Sequence, residues 1–238
     1  AELPQRRLWL ETFLGLVPGL VRVEAERAAT WAPRALEAPF ELPLAELRRW
    51  TDALAAATGE EPAPDLPDRG EPILLRGVVD RIDAHRETGE LAVLDYKTGA
   101  LPTGRAVERL DELQIILYAA AVECGAVAAV AGGPVATGAY YGVHADGQGP
   151  PPRPHLPADE AGRRLLARGG AELVRLALGA ADPDGAFPLL PREWAGQGPA
   201  ALPCATCDFR GVCRIEELVV PAATARKLDK LVNRKDPV

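Results

Sequence analysis

The 238-residue sequence contains no methionine, not even at position 1. This absence favours a C-terminal fragment of a larger protein, although removal of the start methionine from a short protein is an alternative. No apolar stretch approaches the length of about 18 residues that a membrane span needs, and no secretory signal is visible at the N-terminus. We therefore expect a cytoplasmic protein without a membrane partner.

Positive charge and aromatic residues are also scarce. Lys and Arg number 27 against 34 Asp and Glu, which leaves a net charge of −7 and argues mildly against a nucleic-acid partner. A nuclease with an acidic metal site can nevertheless be acidic overall and carry a local basic groove, so the charge excludes little. Aromatic residues make up 5%, which points to genome base composition more than to a special fold.

The most informative pattern of residues lies between Arg76 and Gly99. The segments Ile73–Asp83 and Leu91–Lys97 are rich in Ile, Leu and Val. The turn sequence Glu87-Thr88-Gly89 separates them, which predicts two strands joined by a tight turn.

Three charged side chains are predicted to converge on this hairpin. On the first strand Asp80 shares a face with Val78 and Ile82, and on the second Asp95 lies on the same face as Lys97. In an antiparallel pair Asp80 can lie near Asp95. Two carboxylates in an apolar setting repel each other, and Mg²⁺ or Mn²⁺ compensates that repulsion. A lysine beside the metal can orient or help deprotonate an attacking water.

Surface ion pairs are the alternative interpretation of the same residues. Asp80 would then pair with Arg81 or Arg76, and Lys97 with Asp95, and none of these side chains would have a catalytic role.

The segments Gly77–Asp83 (GVVDRID) and Asp95–Gly99 (DYKTG) resemble the GxxDRID…DYKTG signature of RecB/AddB-type PD-(D/E)xK nucleases. The resemblance implies that Asp80 and Asp95 bind Mg²⁺ or Mn²⁺ and that Lys97 is catalytic. It also implies an α/β, restriction-endonuclease-like PD-(D/E)xK core, in which helices flank a central mixed sheet.

The next element of that family is a helix bearing Q-x3-Y, and Gln114 and Tyr118 stand at this spacing in a helix predicted from about Ala106 to Cys124. Residues four apart share one face of a helix. The resemblance implies that this face looks toward the active site and DNA, which makes both residues catalytic candidates. Packing at a helix–sheet interface is the alternative.

The pattern along the chain predicts three regions. Residues 1–33 form an N-terminal helical segment punctuated by Pro18-Gly19, residues 34–180 form the nuclease core, and residues 181–238 form a cysteine-rich region with a basic tail. Within the core, Arg34–Leu44 is predicted as a strand, and Pro39 places it at a sheet edge or at a break.

Four cysteines remain to be explained: Cys124, Cys204, Cys207 and Cys213. The last three are spaced C-x2-C-x5-C, which indicates metal binding by zinc or by an iron–sulfur cluster rather than disulfides. They resemble the cysteine triplet of iron–sulfur nucleases, which implies a [4Fe–4S] cluster. The fourth ligand is then expected upstream of this chain, with Cys124 as the other candidate.

These features together predict a Mg²⁺-dependent deoxyribonuclease, with exonuclease favoured over endonuclease. By resemblance, its setting is a bacterial helicase–nuclease complex for double-strand break repair and recombination, with DNA and a helicase as partners. A catalytically silent DNA-binding or partner-binding module of the same fold is one alternative. A CRISPR-associated RecB-like exonuclease and a zinc-stabilised interaction domain are the others.

Overall fold

The computed structural model describes residues 4–68, 72–97, 101–142 and 153–182, all within one compact unit, Ala1–Asp182. Its helices are α1 (Pro4–Arg27), α2 (Leu44–Thr58), α3 (Gly104–Glu108), α4 (Gln114–Glu123) and α5 (Glu160–Ala180). Its strands are β1 (Trp31–Pro43), β2 (Leu74–His85), β3 (Leu91–Lys97), β4 (Val135–Gly142) and β5 (Arg153–Leu156). None of the described helices combines the length and apolar character needed to cross a bilayer.

The five strands form one mixed sheet in the order β1-β2-β3-β4-β5. Neighbouring strands are antiparallel except β3 and β4, which are parallel and are joined through α3 and α4. The predicted α/β architecture with a mixed sheet is therefore confirmed. Strand β1 lies at the edge of the sheet, the position at which a proline such as Pro39 is tolerated, and an isolated bridge joins the neighbouring Phe40 to Val127.

Two apolar clusters cover the two faces of the sheet. The larger lies between the sheet and helices α2, α4 and α5, and includes Val93 of β3. The smaller forms where Val23 of α1 packs on Leu94 and Tyr141. Since Val93 and Leu94 are consecutive in β3, their side chains point to opposite faces, and α1 therefore lies on the face away from α4.

The helices differ from the sequence prediction at two places. The helix predicted from Ala106 to Cys124 is divided into α3 and α4 by a turn in which Leu110 has a φ of 65°. Helix α1, in contrast, continues through Pro18, which was expected to interrupt it. Its second half is held to the sheet by Val23 and by ion pairs of Glu24 and Arg27, so tertiary contacts compensate for the hydrogen bond that proline removes.

Candidate active site

The hairpin of β2 and β3 places the two candidate metal ligands where its strands separate. Gly89 closes the turn with a φ of 76°, a conformation that other residues seldom adopt. Pairing between the strands extends only as far as Arg81 and Leu94. Beyond that pair β2 continues along β1 and β3 continues along β4, so Asp80 and Asp95 flank the opening between them.

The alternation of side chains along β2 is broken between Val79 and Ile82. Val79 and Ile82 are both fully buried in the larger core, whereas Val78 is 42% exposed. Strict alternation cannot bury residues three apart on the same face. The face that Val78 was predicted to share with Asp80 and Ile82 is therefore interrupted. On β1, Glu37 lies between the residues paired with Arg81 and Val79 and has a φ of 47°, in the left-handed region.

The half-buried Asp80 side chain spans the opening between the strands. Its Oδ2 accepts the backbone N–H of Tyr96 at 2.8 Å. Tyr96 lies one residue beyond Asp95 on β3, so this hydrogen bond takes over where the β2–β3 ladder has ended. The carboxylate of Asp80 is thereby held toward the segment that carries Asp95 and Lys97.

Asp95 is buried, with a residue exposure of 1%, and is close to its lysine neighbour. Its Oδ2 lies 2.8 Å from Nζ of Lys97, but no hydrogen bond of normal geometry reaches that oxygen. Burial raises the pKa of Asp95, and the negative charges of Asp80 and Glu112 raise it further, while Lys97 opposes the shift. The result is a desolvated carboxylate with unused acceptor capacity.

Lys97 links the strand pair to helix α4. Its Nζ donates to Oε1 of Gln114 at 2.5 Å and lies 5.5 Å from the ring centroid of Tyr140. Nε2 of Gln114 in turn donates to the hydroxyl of Tyr118 at 2.8 Å. The structure thus brings all five sequence-predicted residues, Asp80, Asp95, Lys97, Gln114 and Tyr118, into one connected cluster.

Tyr118 is held in its neutral form. Burial raises its pKa to about 12, and the charges of Asp80 and Asp95 act in the same direction. Its ring packs edge-on against Phe40, with centroids 6.4 Å apart. Phe40 can lie there because the opposite residue is Gly77, where a Cβ would come within 2.7 Å of the Phe40 ring. The glycine that begins the GVVDRID segment therefore supports the wall behind Tyr118.

The two arginines that the ion-pair interpretation assigned to Asp80 are engaged elsewhere. Arg76 pairs with Glu41 at 2.7 Å, and Arg81 pairs with Glu24 of α1 at 2.7 Å on the other face of the sheet. The interpretation in which Asp80 forms an ion pair with Arg76 or Arg81 is therefore wrong. The pair of Lys97 with Asp95 does form, but around a buried carboxylate rather than at the surface.

Two residues near the cluster were missed by the sequence prediction. Glu112 is partly buried and adds negative charge near Asp95. Tyr140 is fully buried between Lys97 and the ring of His155, whose centroid is 5.2 Å away. Glu112 precedes α4 in an irregular segment, where no periodicity could have indicated its direction.

The donor set suits a hard divalent cation. Among the described residues no group of three or more His, Cys, Asp and Glu side chains is arranged to hold a metal. Mg²⁺ does not need one, because it keeps several waters and binds through one or two carboxylates together with substrate phosphate. Asp80 and Asp95 supply two carboxylates, and the Oδ2 of Asp95 has the acceptor capacity that a cation would use.

Of the four cysteines considered in the sequence analysis, only Cys124 lies among the described residues. This residue is half-buried at the end of α4, and burial raises its pKa to about 12, which favours the thiol over the metal-binding thiolate. Cys204, Cys207 and Cys213 lie outside the described residues, as does the rest of region 181–238 beyond Asp182.

The sequence comparison agrees with this architecture. A family model for the PD-(D/E)XK nuclease superfamily matches residues 2–214, a range that contains every helix and strand described above. The match is to the superfamily as a whole. No curated protein matches the chain significantly.

Proposed function

Since the chain belongs to the PD-(D/E)XK nuclease superfamily, we propose that it is a metal-dependent deoxyribonuclease that hydrolyses phosphodiester bonds. The observation that carries this proposal is the convergence of Asp80, Asp95 and Lys97 where β2 and β3 separate. A buried carboxylate with a raised pKa in such a cluster is typical of a functional site.

Each side chain of the cluster has a role in this proposal. Asp80 and Asp95 would hold Mg²⁺ or Mn²⁺, and such an ion would supply Lewis-acid polarisation of the scissile phosphate and a positive charge to counter that of the phosphate. Lys97 carries a positive charge at the same place, where it orients the attacking water and stabilises the charge that develops on the phosphate. Gln114 fixes the ammonium group by accepting from it, and Tyr118 fixes the amide of Gln114 in turn.

The narrower assignments follow from the signature. The order and spacing of GVVDRID, DYKTG and Q-x3-Y support a RecB/AddB-type nuclease, which implies exonuclease action in a helicase–nuclease complex for break repair and recombination. The spacing of Cys204, Cys207 and Cys213 supports a [4Fe–4S] cluster, with zinc as the alternative. Iron, sulfide and zinc analysis of protein purified without oxygen distinguishes these two metals.

Cleavage assays test the proposed activity. The protein should degrade linear DNA in Mg²⁺ or Mn²⁺ and not in a chelator, and Asp80→Ala or Lys97→Ala should abolish cleavage while the protein remains folded. A matched control is Asp65→Asn, because this carboxylate is exposed and pairs only at the surface with Arg48. Comparison of linear with closed circular DNA separates exonuclease from endonuclease action. Cleavage by either alanine variant at the wild-type rate would refute the proposed site.

The same assay addresses the catalytically silent alternative. If the protein is a silent module, wild type and the Asp80→Ala variant should bind DNA equally well, and neither should cleave it. The Asp80, Asp95 and Lys97 cluster is intact, and the Oδ2 of the buried Asp95 lacks the hydrogen bonds that satisfy a purely structural buried carboxylate such as Asp83, which favours the enzyme.

A further inference from the structure

A buried ion network lies on the face of the sheet opposite the proposed metal site. Arg81 of β2 is 5% exposed and donates to Asp83 at 2.6 Å and to Glu24 of α1 at 2.7 Å. Asp83 is fully buried and also accepts from Arg27 of α1 at 2.6 Å. Burial opposes the charge on Arg81, yet these hydrogen bonds hold its pKa above the ordinary value. Two arginines and two carboxylates therefore balance one another in a network that is buried at Arg81 and Asp83 and reaches solvent at Glu24.

The network extends to the strand that carries the catalytic lysine. Nη1 of Arg81 donates to the hydroxyl of Tyr96 at 3.0 Å. Tyr96 is the residue between Asp95 and Lys97, and its backbone N–H is the donor to Asp80. Two consecutive residues of β2 thus hold Tyr96 of β3 at two points. Asp80 contacts the main-chain N–H of Tyr96, and Arg81 contacts the hydroxyl at the end of the Tyr96 side chain.

These two contacts lie where the sheet provides no other link between β2 and β3. The last registered pair is Arg81 with Leu94, so no ladder hydrogen bond joins the strands at the level of Asp80 and Asp95. The distance between the two carboxylates therefore depends on side-chain contacts across the opening. A divalent cation that binds both carboxylates is sensitive to that distance, because Mg²⁺ requires near-ideal coordination geometry.

We propose that Arg81 is a positioning residue that acts through the hydroxyl of Tyr96 to hold Asp80 and Asp95 at the spacing that binds the metal. This inference rests on the proposed function, since it concerns the same two carboxylates. It assigns to the buried network on the α1 side of the sheet a purpose beyond anchoring the helix.

The decisive variant is Tyr96→Phe, which removes one hydroxyl and leaves the ring in place. Its matched control is Tyr141→Phe. Tyr141 pairs with Tyr96 across β3 and β4, the two rings are 5.2 Å apart, and the Tyr141 hydroxyl is buried without a hydrogen bond. The two variants therefore delete the same group at neighbouring positions, Tyr96 partly buried and Tyr141 buried, and only the hydroxyl of Tyr96 accepts from Arg81.

The measurement is Mn²⁺ binding to the full chain, together with the Mg²⁺ dependence of DNA cleavage. Removing an indirect partner of a metal ligand lowers affinity by about 10- to 100-fold, and we expect about 10-fold for Tyr96→Phe. The Mg²⁺ concentration for half-maximal cleavage should rise by the same factor, while the rate at saturating Mg²⁺ returns toward the wild-type value. Tyr141→Phe should change neither quantity.

An Asp80→Ala variant distinguishes failure of the proposed metal site from failure of the positioning role of Arg81. If wild type binds Mn²⁺ no better than Asp80→Ala does, the proposed metal site itself is refuted. If wild type binds, Asp80→Ala does not, and Tyr96→Phe binds as tightly as wild type, then only the positioning role is refuted. Equal weakening by Tyr96→Phe and Tyr141→Phe also overturns it, because a general loss of packing would then explain both.

Discussion

Replacing Asp95 with asparagine should stabilise the protein when no metal is present. Asp95 is 1% exposed, its Oδ2 receives no aligned hydrogen bond, and burial raises its pKa in spite of Lys97. A raised pKa means that the folded state favours the neutral form. Stability is therefore fully retained below the ordinary pKa of an aspartate and is lost as the pH rises through the higher pKa of the folded protein. Asparagine has nearly the same shape and carries no charge.

The size of the effect follows from the surroundings of the ion pair. Replacing both members of a buried ion pair with well-packed apolar groups gains about 1–4 kcal/mol, whereas removing one member is costly where the remaining charge stays buried. Asp95→Asn removes only one member, so we expect a gain at the lower end, about 1 kcal/mol, on the condition that the charge of Lys97 is solvated. Its side chain is 28% exposed and keeps the contact with Gln114, so water can solvate the remaining charge. A gain of about 1 kcal/mol corresponds to a rise in Tm of about 2–4 °C in a chain of this length.

Bound metal should reverse the order of stability of wild type and Asp95→Asn. At a Mn²⁺ concentration about 100 times its Kd, the wild-type protein gains about 2.7 kcal/mol from binding. The Asp95→Asn variant lacks one of the two carboxylates and should gain little. Wild type is therefore expected to be the less stable protein in a chelator and the more stable one in saturating Mn²⁺.

Thermal unfolding followed by circular dichroism tests the reversal, at neutral pH with chelator and with Mn²⁺. At a pH low enough to protonate Asp95, the difference in chelator should disappear. Asp65→Asn, at an exposed carboxylate, should behave as wild type in every condition. The reasoning is refuted if Asp95→Asn is less stable than wild type in chelator at neutral pH, or if it gains as much Tm from Mn²⁺.

Three further predictions concern the walls of the site. Gln114→Ala and Tyr118→Phe should each lower the DNA cleavage rate by about 10-fold or more while Mn²⁺ binding persists, because Lys97 loses its alignment; unchanged rates with a lower Tm would favour a packing role. Gly77→Ala should cost about 1–3 kcal/mol in urea denaturation, because its Cβ would lie 2.7 Å from a ring carbon of the Phe40 side chain, and a cost near zero would show that the ring moves freely. Glu37→Gly should stabilise the protein by about 0.5–1 kcal/mol in the same assay, because Glu37 has a φ of 47°; a loss of stability would mean that its side chain contributes more than its backbone costs.

The local pattern of the sequence determined the identity of the candidate site. Alternation and the turn at Gly89 defined the hairpin, and spacing alone put Asp95 and Lys97 on one face of β3. The four-residue spacing of Gln114 and Tyr118 placed them on one side of α4. These inferences succeed because strand and helix periodicity depend only on the residues within each element.

The tertiary structure alone decided how those residues are held. The left-handed backbone of Glu37 on β1, the interruption after α3 at Leu110, and the link from Arg81 to Tyr96 have no periodic signal in the sequence. Arg27 and Asp83 are 56 residues apart, and only the packing of α1 on the sheet brings them together. Local pattern can identify which charged groups a segment presents, whereas their partners and burial depend on elements distant in the chain, because desolvation is a property of the packed whole.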